Sequence, residues 1–186
     1  MTLAEAVLAY AVQLMAATNN HLPYNRTVME ETVAAIAVET EDPQEAETLV
    51  KIARWESGGF RKDIASCKVK GDHGVAQGLF QVHPINKEEM VDTCSLDYRK
   101  QVRVALSHIR NSVEVCKMHG YRGSALLTIY TNGMCRAHSY AAFLRWGDGK
   151  ALERFLYTEY VSILSKKGVV QLVSNAWKDV GNGQNN

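Results

Sequence analysis

Between Phe60 and Pro84 the chain passes Gly71, Gly74 and Gly78 without helical periodicity, while apolar residues recur at helical spacing on both sides of it. Glycine inside a helix is destabilising by about 1 kcal/mol relative to alanine. The stretch is therefore read as an irregular insertion, with Gly78 to Val82 as its extended piece. The expected fold class is mainly α (α+β): a helical body carrying a small irregular or β insertion.

The helix before the insertion has clear ends. Asp42 can cap it, Pro43 fills the first helical position, and Glu45 stands where a capping box places its acid. Ala46, Leu49, Val50 and Ala53 carry the pattern to about Glu56, and Gly58-Gly59 stops it. Upstream, Val28, Val33, Ile36 and Ala37 predict a helix from Thr27 to Glu39, after a loop from Asn19 to Arg26. Downstream, Ser95 is read as the cap of a helix with Tyr98, Val102, Leu106, Ile109, Val113 and Cys116 on one face. Ser124 is read as the cap of a short helix from Ala125 to about Tyr130, before Asn132-Gly133. Further helices are expected from about His138 to Trp146 and from Lys150 to Ser165.

No repeat or Pro/Gly/Ser linker divides the 186 residues, a length that suits one compact domain. The organisation expected is an N-terminal helix and loop over 1–25, a catalytic domain over 26–180 and a disordered tail over 181–186. Ala6 to Ala17 is apolar apart from Gln13, too short to span a bilayer, and Leu8, Val12 and Met15 recur along it at helical spacing. No Lys or Arg occurs before Arg26, so the positive start of a secretory signal is missing. The helix is expected to pack in the core, or to dock on a partner. The 21 Lys and Arg against 20 Asp and Glu give no basic excess of the kind nucleic-acid binders show.

Cys67, Cys94, Cys116 and Cys135 lack CxxC or zinc-type spacing. Two readings stay open: buried thiols, or one or two disulfides in a protein working outside the reducing cytoplasm. Cys116 and Cys135, each read as ending a helix, are expected to come close and be bridged. His73 has no partner at metal-binding spacing, and no metal or cofactor is expected.

Glu56 carries the chemistry of this reading. It follows Ala53, Ile52 and Leu49 by three, four and seven residues, so it extends the apolar face of its helix. Desolvation and the negative helix end both disfavour its charged form, as a general acid near neutral pH requires. Around it run Trp55-Glu56-Ser57-Gly58-Gly59-Phe60 and Gly71-Asp72-His73-Gly74-Val75-Ala76-Gln77-Gly78-Leu79-Phe80-Gln81-Val82-His83-Pro84, and later Tyr130-Thr131-Asn132-Gly133. There is no Gly-x-Ser-x-Gly elbow for a Ser-His-Asp hydrolase.

These motifs, in this order over roughly Glu45 to Gly133, resemble lytic transglycosylases of the lysozyme superfamily, with features of goose-type lysozymes. Glu56-Ser57 is similar to their Glu-Ser at a helix end, and Gly78-Leu79-Phe80-Gln81 to their Gly-Leu-Met-Gln strand. Tyr130 and Gly133 match their Tyr-Asn-x-Gly segment, with Asn132 one place late. The resemblance implies a lysozyme-like fold and cleavage of the β-1,4 bond between N-acetylmuramic acid and N-acetylglucosamine. It implies Glu56 as acid, Tyr130 near it, and Asp72 as a second acid positioning water. Ser57, Gln81, His83 and Asn132 become substrate contacts, His83 standing where goose-type enzymes carry a further Asp.

With one clear acid, the transglycosylase course and its 1,6-anhydro product are favoured; goose-type hydrolysis is the alternative. A silent glycan-binding or virion component is a third reading. A small muramidase lacking an export signal looks like a bacteriophage product, either a lysis enzyme or a virion-borne one acting at the cell wall. The expected partner is the glycan strand, with a virion or tail protein possible through the N-terminal helix.

Overall fold

The computed structural model describes residues 2–17 and 24–157. They form a mainly helical assembly. In chain order it comprises α1 (Leu3–Ala17), α2 (Arg26–Glu39), α3 (Pro43–Glu56), α4 (Lys62–Ala65), α5 (Lys87–Asp92), α6 (Tyr98–Met118), α7 (Thr128–Asn132) and α8 (Tyr140–Arg145). Residues 150–157 are helical as well. Single 3-10 turns lie at Asp72–Gly74 and Gly123–Leu127.

The core is one cluster. Ile36 of α2, Leu49 and Ile52 of α3, and Val102, Leu106 and Ile109 of α6 meet there with Phe60, Leu79 and Phe80 of the insertion. A carboxylate braces two of the helices: Glu39 on α2 accepts from Arg99 and Arg103 of α6, each at 2.8 Å. α1 packs on α2 and α3. Its buried face is Ala6, Val7, Tyr10, Ala11 and Met15, so the stripe through Leu8 and Val12 is corrected: Val12 is 47% exposed. Small side chains there let the helix approach closely, and the face lies within the protein's own core.

Several boundaries shift by a residue or two for local reasons. α6 is capped by Asp97, whose carboxylate accepts from Arg99 N, while Ser95 Oγ accepts from the Asp97 amide. At α3, Asp42 caps as expected through Gln44 N, but Glu45 turns away from the cap to Thr40 Oγ1 and to Arg110. A guanidinium is a stronger partner for that carboxylate than a lone amide. Ser124 lies within a 3-10 turn, and the α-helix proper begins at Thr128. α8 is shorter than expected, capped by Ser139. The tail 181–186, most of the loop from Asn19 to Arg26 and the end of the helix expected to reach Ser165 lie outside the described residues.

The insertion departs most from expectation. Gly78 to Val82 is a turn, not a strand: the described residues hold two isolated β-bridges, Gly71 with Ala76 and Gln77 with Val82. Five non-glycine residues have left-handed backbone, Phe60, Cys67, Asp72, His73 and Gln81, all within this one region. Such conformations persist where surroundings enforce them. Here the enforcement is visible. Gln101 of α6, buried in the core, accepts from Leu79 N at 2.9 Å and donates to Ala65 O and Ser95 O. Gly78 has φ +71°, and a Cβ on it would collide with Thr93 O and Gln101 Oε1. A disulfide joins Cys67 to Cys94 across the same region, and a second joins Cys116 to Cys135. The expected pairing of Cys116 with Cys135 is present, and the buried-thiol reading is set aside.

Candidate active site

Glu56 closes α3, and the helix ends sharply after it. Ser57 Oγ donates to Ala53 O at 2.5 Å and accepts from Phe60 N at 2.7 Å. Gly58 and Gly59 then take positive φ, and Gly59 N returns to Arg54 O. Ser57 is fully buried with its hydroxyl satisfied both ways, so it shapes the helix end and is not placed to touch a glycan. The expected substrate role for Ser57 is replaced by this structural one.

Between the insertion, α6 and α7 lies a cavity of about 500 Å³. Its wall includes Asp72, Gln81 and His83 from the insertion, Tyr130 and Asn132 from α7, and His108 and Asn111 from α6. Five residues chosen from two separate stretches thus share one cavity. Glu56 is not among the lining residues, but its charge reaches the Tyr130 phenol.

Tyr130 bridges the two regions. Its hydroxyl donates to Phe80 O at 2.5 Å, fastening α7 to the insertion. Burial, reinforced by the charge of Glu56, pushes the phenol well above the usual tyrosine range, with Arg145 acting the other way. The ring keeps an edge on the cavity as a neutral group.

Asp72 sits in a closed turn. Gly71 and Ala76 exchange backbone bonds, and Gly74 N and Val75 N return to Gly71 O and Asp72 O. The carboxylate meets His83 Nε2 at 3.2 Å, and His73 Nδ1 more loosely at 3.7 Å. His83 is thereby a partner of Asp72 as well as a cavity residue. Gln81 donates from Nε2 to Gly78 O, and its Oε1 lies where a Cβ on Gly71 would be. Much of its polar capacity holds the turns together. Asn132 Oδ1 accepts from Thr131 Oγ1 at 2.8 Å and Ser139 Oγ at 2.6 Å, leaving its NH₂ for a ligand. Gly133 follows as the left-handed residue that ends α7.

Sequence reasoning missed three contributors. Arg145 of α8 donates from Nε to Glu56 Oε1 at 2.5 Å. That contact joins residues 89 apart in sequence, and no spacing rule signals it. His108, paired with Glu89 at 2.9 Å, and Asn111 were legible in principle, as polar residues three apart on one side of α6. No group of three or more His, Cys, Asp or Glu among the described residues is arranged to hold a metal ion.

Compared with family models, curated proteins and solved structures, the chain matches none.

Proposed function

We propose that this protein cleaves peptidoglycan glycan strands at the β-1,4 bond between N-acetylmuramic acid and N-acetylglucosamine, with Glu56 as the acid. The observation that carries the reading is the shared cavity. Asp72, Gln81, His83, Tyr130 and Asn132 come from two stretches far apart in sequence and line one space, and the charge of Glu56 at the end of α3 reaches Tyr130 on its wall. The cavity's polar groups suit a sugar rich in hydroxyl and acetamido groups, and its volume has room for part of a glycan strand. The mainly helical body with its irregular insertion is read as a lysozyme-like arrangement, the groove lying between the two.

In this account Glu56 protonates the departing glycosidic oxygen and then takes a proton from the attacking group. In the transglycosylase course the muramic 6-hydroxyl attacks, an intramolecular step with a high effective concentration that needs no second carboxylate. One observation favours hydrolysis as a second reading: the pinned turn at Asp72 and its contact with His83, which together can hold a water. A catalytically silent glycan-binding role remains the contrasting class. Two disulfides suit work beyond a reducing cytoplasm. A bacteriophage lysis or virion enzyme acting at the cell wall fits the size and chemistry. No described helix is long and apolar enough to cross a membrane. A zymogram on purified peptidoglycan tests the proposal: a cleared band supports it, and an intact layer at the protein's position contradicts it.

A further inference from the structure

The pairing of Glu56 with Arg145 is half made. Arg145 Nε donates to Oε1, while Nη1 turns back to Ala141 O at 3.0 Å within its own helix. Among the described residues, Nη2 and Glu56 Oε2 have no hydrogen-bond partner. A guanidinium and a carboxylate can pair through two parallel bonds, so this contact leaves capacity on both sides. Both side chains are largely withdrawn from solvent, at 16% and 23% exposure.

The guanidinium occupies Oε1, so while the pair stands that oxygen is not free to meet a departing glycosidic oxygen. Glycan cleavage by Glu56 therefore requires that Arg145 find another anion. The neighbouring cation Lys51 is committed to Glu47 at 2.9 Å and to Trp146 O. α8 is suited to such a change. It has six residues, of which Ala142 alone is buried, and its cap Ser139 bonds directly to Asn132 on the cavity wall. A ligand engaging Asn132 meets the same short helix that carries Arg145.

We propose that Arg145 determines specificity for acidic glycans: a carboxylate on the muramic half of the strand takes over its guanidinium, and that exchange frees Glu56. The inference rests on the glycan-cleaving reading above. A ligand shifts such an equilibrium only through contacts that differ between the two states. A neutral chitin oligomer supplies no anion and leaves Glu56 paired. The anion is either the lactyl carboxylate itself or a carboxylate of the stem peptide attached to it.

The test compares kcat/KM of the wild type, Arg145→Gln and Arg145→Lys on three polymers. These are intact peptidoglycan, glycan strands stripped of stem peptides so that the lactyl carboxylate is free, and chitin oligomers. The wild type is expected to prefer the muramic substrates to chitin by about tenfold or more, the scale of a charge-assisted hydrogen bond. Arg145→Gln should lose most of that preference, by slower cleavage of muramic substrates and faster cleavage of chitin. Arg145→Lys, which keeps the charge without the fork, should fall between them. Whichever muramic polymer responds more strongly to the substitution identifies the anion. Equal wild-type rates on chitin and peptidoglycan overturn the proposal, and that arm needs no variant to fold. A parallel loss on all three polymers also overturns it, since that is the mark of a merely structural role. A wild type inert on every polymer removes the glycan-cleaving reading itself and this inference with it.

Discussion

His83 Nε2 stands 3.2 Å from Asp72 Oδ2, and both residues line the cavity together with Tyr130. The contact changes the standing of Asp72. From sequence alone, one clear acid favours the transglycosylase course. In the structure, backbone bonds close that turn and His83 orients the carboxylate. The pair is expected to support whatever hydrolysis accompanies cleavage. Asp72→Asn should therefore lower the ratio of reducing-end to anhydro products by about tenfold or more, a modest fraction of what a general base supplies. Mass spectrometry of digested peptidoglycan reads that ratio, the anhydro end being lighter by one water. An unchanged ratio would assign Asp72 to the turn alone.

Gln101 ties the insertion to α6 through two buried hydrogen bonds, to Leu79 N and Ala65 O, and makes a third to Ser95 O. Truncation leaves Leu79 N and two carbonyls without partners, and each buried orphan costs about 1–3 kcal/mol. Gln101→Ala is expected to destabilise the protein by roughly 2–4 kcal/mol in urea unfolding. Gly78→Ala should also destabilise it, because its Cβ meets Thr93 O at a positive φ. Wild-type midpoints for both variants would show that the insertion is not held from α6.

The two disulfides make a separate expectation. Intact mass without reductant should be lower than after reduction by the four hydrogens that two bridges release. Replacing Cys116 and Cys135 together by serine should lower stability by about 3 kcal/mol, from the restored freedom of the unfolded chain. Four free thiols in air-exposed protein, or an unchanged melting point, would contradict it.

Local chemistry made part of the molecule readable in advance. Asp42-Pro43 and Gly58-Gly59 bracket α3 because capping and helix termination depend on neighbours in sequence. The pairing of Cys116 with Cys135 was legible because one lies in the last turn of α6 and the other follows shortly after the next helix. The insertion was not, because its turns are enforced from outside by Gln101 and Thr93, over sequence distances that periodicity does not reach. The same holds for Ser57, whose hydroxyl looked available for a sugar and instead satisfies Ala53 O and Phe60 N. Five of the seven proposed site residues line one cavity, while the guanidinium on Glu56 belongs to tertiary structure alone.

The most direct test of the central claim is a quantitative peptidoglycan digestion by the wild type and Glu56→Gln, with circular dichroism to verify that both are folded. The amide preserves the shape of the side chain and removes the transferable proton. The account expects glycan cleavage by the wild type and a loss of roughly two to four orders of magnitude in the variant. Cleavage by folded Glu56→Gln at close to the wild-type rate would contradict it.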